Sequence, residues 1–85
     1  MRIITTKPFD RDYEALPEKI QRLASRKLRL FLANPRHPSL HFKRVGAYWS
    51  VRVGRGYRAL GLDSSEGIAW FWIGTHSEYD ALINS

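Results

Sequence analysis

The sequence predicts a single α+β domain ordered β-α-α-β-β-β-β-α, with a mostly antiparallel sheet, two N-terminal helices on one face and a short C-terminal helix. Three observations carry this. Residues 17–33 repeat apolar side chains at helical spacing, residues 49–62 alternate with period two around a Gly-Arg-Gly break, and residues 68–73 form an unbroken apolar run. Helices gathered ahead of a strand meander indicate α+β rather than alternating βαβ units. The chain of 85 residues suffices for one modest core, so residues 1–85 are read as one domain.

In chain order, residues 2–6 (RIITT) are short and β-branched, a first strand that Lys7-Pro8 breaks. Phe9, Tyr13 and Leu16 follow at spacings of four and three. They predict a short amphipathic helix over 10–16, with acids in its first turn where the helix dipole favours them. Pro17 cannot continue that helix but suits the first turn of the next. Ile20, Leu23, Ala24, Leu28, Phe31 and Leu32 form the apolar face of a long helix over 17–33, and Lys19, Arg22, Arg26 and Arg29 gather opposite. Asn34-Pro35 ends it. After a loop with two prolines, residues 40–45 (LHFKRV) alternate as a strand that turns at Gly46-Ala47.

Residues 49–62 read as a β-hairpin closed by Gly54-Arg55-Gly56, a three-residue loop that needs a glycine in the left-handed region. That register pairs Val53 with Tyr57, Arg52 with Arg58 and Val51 with Ala59. Two arginines then face each other, which is destabilising by some tenths of a kcal/mol unless an anion joins them. The alternatives are that both guanidiniums reach into water or meet Asp10, Asp12 or Glu14. A polar turn over 63–67 leads into 68–73 (IAWFWI), a strand expected to be covered on both faces. Thr75 and Glu78 have capping-box spacing and should start the last helix, through Leu82.

Charge narrows the function classes. The net charge is +6, and all eight acids lie at or before Glu18 or at or after Asp63. Residues 19–62 hold eleven Lys or Arg and no acid, a block that suits a polyanion or an acidic protein partner. The chain has no cysteine, no apolar run that approaches a membrane span and no signal-like amino end, so a cytoplasmic protein without membrane partner is expected. Phosphate-loop, dinucleotide and HExxH patterns are absent, and His37, His41 and His76 show no metal-ligand spacing, so no cofactor or metal is expected.

What remains is a set of cations and one histidine at strand ends. His76 follows the apolar strand, and histidine can give or take a proton near neutral pH. Tyr79 is three residues on, and the hairpin supplies Arg52, Arg55 and Arg58. Cleavage of RNA without metal needs such a set: a base for the 2′-hydroxyl, cations for the phosphate as it gains charge, and an acid for the leaving oxygen. Aromatic side chains can stack the flanking bases. His76 could equally be a helix-start residue beside the Thr75 cap.

The segments FDRDYEALP, PEKIQRLASRKLRLFLANP, HPSLHFKRV, the hairpin ending GYRAL and the terminal WIGTHSEYDAL, in this order, resemble the RelE/ParE superfamily of bacterial toxin–antitoxin toxins. The resemblance implies a RelE-like, microbial-RNase-type fold, an antitoxin partner that is acidic, and translation arrest by mRNA cleavage at the ribosome. It implies that Arg58, in Tyr57-Arg58, contacts the scissile phosphate; the hairpin reading adds Arg52 and Arg55 as its helpers. His76 in GTHS resembles the acid–base histidine of YafQ-like members, and Tyr79 resembles the C-terminal aromatic of active members, at a different spacing. Lys43 and Arg44 resemble basic residues of the substrate groove. The chain lacks the paired lysines that RelE carries on its middle strands. The ParE branch shares the Tyr-Arg motif but poisons DNA gyrase without cutting RNA, and a degenerate toxin that only pairs with an antitoxin is a third reading.

Overall fold

The computed structural model describes residues 3–84. Its sheet comprises β1 (Ile4–Thr5), β2 (Lys43–Val45), β3 (Tyr48–Val53), β4 (Tyr57–Ser64) and β5 (Gly67–Thr75), in spatial order β1-β5-β4-β3-β2. All neighbours are antiparallel except β1 with β5. The helices are α1 (Lys7–Glu14), α2 (Glu18–Ala33) and α3 (His76–Ile83), with a 3-10 turn over Pro38–Leu40. The element order is the expected one, and Arg2, expected in the first strand, lies outside the described residues.

One face of the sheet carries the core. Phe9 from α1 and Ala24 and Leu28 from α2 pack on Val51, Val53, Ala59, Trp70 and Ile73, each 4% exposed or less. Burial of a large apolar side chain contributes about 1.5–3 kcal/mol, so these eight residues dominate the fold. Trp70 pairs with Gly61 on the neighbouring strand, and a Cβ at Gly61 would clash with Ile68 and lie 2.9 Å from the Trp70 ring. Only a glycine lets that indole lie across β4. Phe31, Phe42 and Trp49 extend the core, with Phe31 edge-on to Trp70 at 5.4 Å and Phe42 stacked on Trp49 at 4.6 Å.

The hairpin has the expected register, with Val51 opposite Ala59, Arg52 opposite Arg58 and Val53 opposite Tyr57. Gly54 supplies the left-handed residue at φ +66°, and a Cβ there would lie 2.7 Å from Leu23 of α2. The loop tip is thus drawn close to the long helix.

Several boundaries differ from the sequence expectation. α1 begins at Lys7 rather than at residue 10, because the Thr6 hydroxyl accepts from the Phe9 amide as N-cap and Pro8 sits in the first turn, where its missing N–H costs nothing. The strand expected over 40–45 is only Lys43–Val45: Leu40 closes the 3-10 turn, and His41 adopts a left-handed conformation that breaks extended pairing. The polar turn over 63–67 shrinks to Ser65-Glu66, since the ladder continues through Ser64 opposite Gly67. β5 is also not covered equally on both faces. Trp70 and Ile73 are buried, whereas Phe71 and Trp72 are only partly buried on the other side, where α3 covers only part of the sheet. A bulge between Leu60 and Gly61, opposite Phe71, shifts the alternation and turns two successive aromatics toward that open side.

Candidate functional site

The second face of the sheet, away from α1 and α2, collects the cations. β-strand alternation and the observed pairings place Lys43, Ser50, Arg52, Arg58 and Leu60 on this face. Arg52 and Arg58 are directly opposed, about 5 Å apart at Cα for such a pair. Arg52 donates from Nε to the Gly54 carbonyl at 3.1 Å, and its Nη1 lies 3.4 Å from His41 Nε2. Arg58 donates from Nη1 to the Tyr57 carbonyl at 2.9 Å. Among the described residues neither guanidinium has a carboxylate within ion-pair distance. Asp10, one of the acids considered for them, accepts from the Thr5 hydroxyl instead.

Burial lowers the pKa of the Arg58 guanidinium below its ordinary value, Arg52 lowers it further, and Tyr79 and Asp80 act in the opposite sense. The cation is held where its charge is disfavoured, and an anion bound between the two arginines would relieve it.

α3 supplies the remaining groups, and its start is set by a full capping box. The Thr75 hydroxyl accepts from the Glu78 amide, while the Glu78 carboxylate accepts from the Thr75 amide at 2.9 Å. His76 is the first residue of the helix rather than a loop residue, and its amide donates to the Gly56 carbonyl at 2.8 Å, tying α3 to the hairpin tip. Its Nδ1 lies 3.2 Å from the Asp80 carboxylate one turn on. That partner calls for a proton on Nδ1 and leaves Nε2 for another molecule. Both side chains are about half exposed, at 47% and 48%. Asp80 was not singled out by sequence reasoning, although its i+4 spacing from His76 on a helix is a readable signal.

The other sequence candidates divide. Tyr79 is 4% exposed, with the Arg58 guanidinium 5.9 Å over its ring, so it is a buried support beneath the cation. Arg55 stands exposed at the hairpin tip, and Lys43 is exposed on the cationic face. Arg44 is on the opposite face, 2.8 Å from the Asp63 carboxylate and stacked 4.7 Å over Trp49. The structure therefore brings Lys43, Arg52, Arg58, Tyr79 and His76 toward one face and end, and sends Arg44 elsewhere. Tyr48, 38% exposed, lies 5.2 Å from the Phe71 ring and forms an aromatic patch farther along the open side. Among the described residues no group of three His, Asp or Glu side chains could hold a metal ion, and no helix is long and apolar enough to cross a membrane.

Comparison with known proteins agrees with this architecture. A family model described as the ParE-like toxin domain matches residues 18–81. No curated protein sequence matches the chain. The fold is similar to the toxin in a RelB–RelE antitoxin–toxin complex from Methanococcus jannaschii, with TM-score 0.71 and 19% identity over 93% of this chain and 98% of that one. It is also similar to a free double-arginine mutant of Escherichia coli toxin RelE, with TM-score 0.66 and 14% identity over 94% and 87% of the chains. The hypothetical protein HP0894 of Helicobacter pylori matches at TM-score 0.60 and 12% identity over 91% and 96%.

Proposed function

The chain belongs to the family of ParE-like toxin domains, and we propose that it is the toxin of a type II toxin–antitoxin pair that cleaves mRNA on the ribosome in the cytoplasm. The observation that carries this reading is the opposed pair Arg52 and Arg58, without a carboxylate partner among the described residues, near the helix that carries His76, whose Nδ1 meets Asp80.

In this reading the scissile phosphate lies against Arg58, with Arg52 alongside. His76 Nε2 takes the proton of the 2′-hydroxyl. The 2′-oxygen attacks phosphorus, the bond from phosphorus to the 5′-oxygen breaks, and water protonates the departing oxygen. The products are a 2′,3′-cyclic phosphate and a 5′-hydroxyl end. The arginines stabilise the extra charge on the phosphate oxygens, a contribution of about 10²–10³-fold for one well-placed donor. Asp80, 3.2 Å from Nδ1, holds the imidazole in the tautomer this requires. Tyr79 supports Arg58 from beneath. No metal enters the reaction. Lys43 and Arg55 hold flanking phosphates, and the Tyr48–Phe71 patch offers rings for a base to stack on.

An acidic antitoxin segment is the expected protein partner, because residues 19–62 carry eleven cations and no acid, and complementary charge speeds association. Induction of the wild type, His76→Gln and Arg58→Ala in a bacterial host, with transcript ends mapped, tests the reading. In-frame cuts in translated messages that disappear in both variants are expected. Growth arrest with intact transcripts and a DNA-damage response would replace it by a gyrase poison, the activity of the ParE branch; the match to a ParE-like model is what favours that second reading.

A further inference from the structure

Beside the hairpin tip, β3 runs on past β2. The short strand β2 pairs only with Tyr48, Trp49 and Ser50, so the later half of β3 borders the 3-10 turn instead. Between that turn, α2 and the hairpin loop lies an open cavity of about 230 Å³, lined by Lys27, Ser39, His41, Arg52, Gly54 and Arg55. Four of these side chains carry or can take a positive charge, they come from four separate segments, and none of the six is an acid. Elsewhere on the surface Arg22 and Arg44 have carboxylate partners, Glu18 and Asp63.

The cavity is also internally organised. Lys27 Nζ donates to the Ser39 hydroxyl at 3.0 Å, and that oxygen lies 2.9 Å from His37 Nδ1. The Ser39 amide donates to the same Nδ1 at 3.2 Å, so Nδ1 is an acceptor and the hydroxyl turns its proton toward it. One of the three Lys27 donors is thereby engaged. On the other side, His41 is held in the left-handed region at φ +46°, rare for a residue with a side chain, and its Nε2 meets Arg52 Nη1 at 3.4 Å. Arg52 thus stands between two places, the cavity on one side and Arg58 on the other.

We propose that this cavity is a second phosphate site. Lys27, Arg52, Arg55 and His41 hold the phosphate oxygens, and the occupant is the phosphodiester next to the one at Arg58, with Arg52 shared between the two. The assignment to an RNA strand rests on the RNA-cleaving reading above. The anion chemistry of the cavity does not.

Amide NMR of the protein tests this with two probes: inorganic phosphate, and a short 2′-deoxy oligonucleotide that lacks the attacking hydroxyl and cannot be cut. Phosphate is expected to shift the Ser39, His41 and Gly54 amides saturably, with binding several-fold weaker in Lys27→Gln and Arg55→Gln. The oligonucleotide should move the same amides together with those around Arg58. Each variant should reduce the slope of log affinity against log salt by about one, the signature of one lost phosphate contact. Shifts with phosphate but none with the oligonucleotide would overturn the strand assignment and leave a site for a free phosphate or mononucleotide. No saturable shift with either probe, or shifts that persist unchanged in both variants, would overturn the site altogether. If the oligonucleotide fills the cavity yet no transcript is cut in cells, the cleavage reading fails and the phosphate site stands.

Discussion

Arg52 and Arg58 face each other across the β3–β4 ladder, and among the described residues no carboxylate comes between them. A like-charge pair on adjacent strands costs some tenths of a kcal/mol, and here it lies on the half-buried side of a sheet whose other face holds the core. Its presence is a structural cost that a phosphate bound between the two guanidiniums would remove.

Arg58→Gln therefore separates function from stability. Loss of the cation should lower RNA cleavage by about 10²–10³-fold. Stability should stay within about 1 kcal/mol of wild type, because the relief of repulsion offsets the lost contact with the Tyr79 ring. Cleavage assays beside thermal melts check this. A collapse in melting temperature together with activity would make Arg58 a structural residue.

His76 and Asp80 are in contact, Nδ1 to carboxylate, at 3.2 Å. His76→Gln should reduce the cleavage rate by about 10²–10⁴-fold, the range for a lost proton-transfer group, with the fold intact because the side chain is half exposed. Asp80→Asn should have a smaller effect on rate, about tenfold or less, since it removes only the carboxylate that orients the imidazole through Nδ1. A cleavage rate unchanged in Asp80→Asn, measured alongside the wild type, would show that the contact has no part in setting the histidine.

Two exposed carboxylates make part of the stability depend on pH in acid. Glu78 is held below its ordinary pKa first by the Thr75 backbone N–H and then by the Thr75 hydroxyl; Asp63 is lowered first by Arg44 and then by the Trp49 N–H. The folded state binds these protons less readily than the unfolded state. Each contribution is complete above the ordinary carboxylate range and is lost as pH falls through the lowered folded value. Melting temperatures of Glu78→Ala and Asp63→Asn should thus lie below wild type at neutral pH, and the differences should shrink as pH falls through the lowered folded values. Thr75→Ala, which removes the cap itself, should cost about 1 kcal/mol at neutral pH.

Gly61→Ala tests the packing of the core face. The added methyl meets Ile68 and the Trp70 ring, neither of which can swing away without opening the core, so a loss of about 1–3 kcal/mol in denaturant unfolding is expected. A neutral result would show that Trp70 can re-seat over β4.

Much of this protein was legible in the chain itself. Helical spacing from Ile20 to Leu32 determined α2, and period-two alternation around Gly54-Arg55-Gly56 determined the hairpin down to its pairing of Arg52 with Arg58. Thr75 and Glu78 determined the start of α3, because a capping box joins residues three apart. These are local signals, and local chemistry suffices to read them. The early start of α1 is hard to read for the opposite reason: Pro8 has the signature of a breaker, although the Thr6 cap makes it a suitable first-turn residue.

Tertiary structure alone decided which side each cation serves. Lys43 and Arg44 are neighbours in sequence, yet a two-residue pleat sends them to opposite faces, one to the open cationic surface and the other to Asp63 and Trp49. Tyr79 became a buried support because α3 folds back over β4 and β5. Lys27, on a helix read only for its apolar and basic stripes, joined Ser39, His41 and Arg55 because the sheet edge brings four distant segments to one cavity. Periodicity tells a side chain which way to face within its own element. Only the packing of elements decides what it finds there.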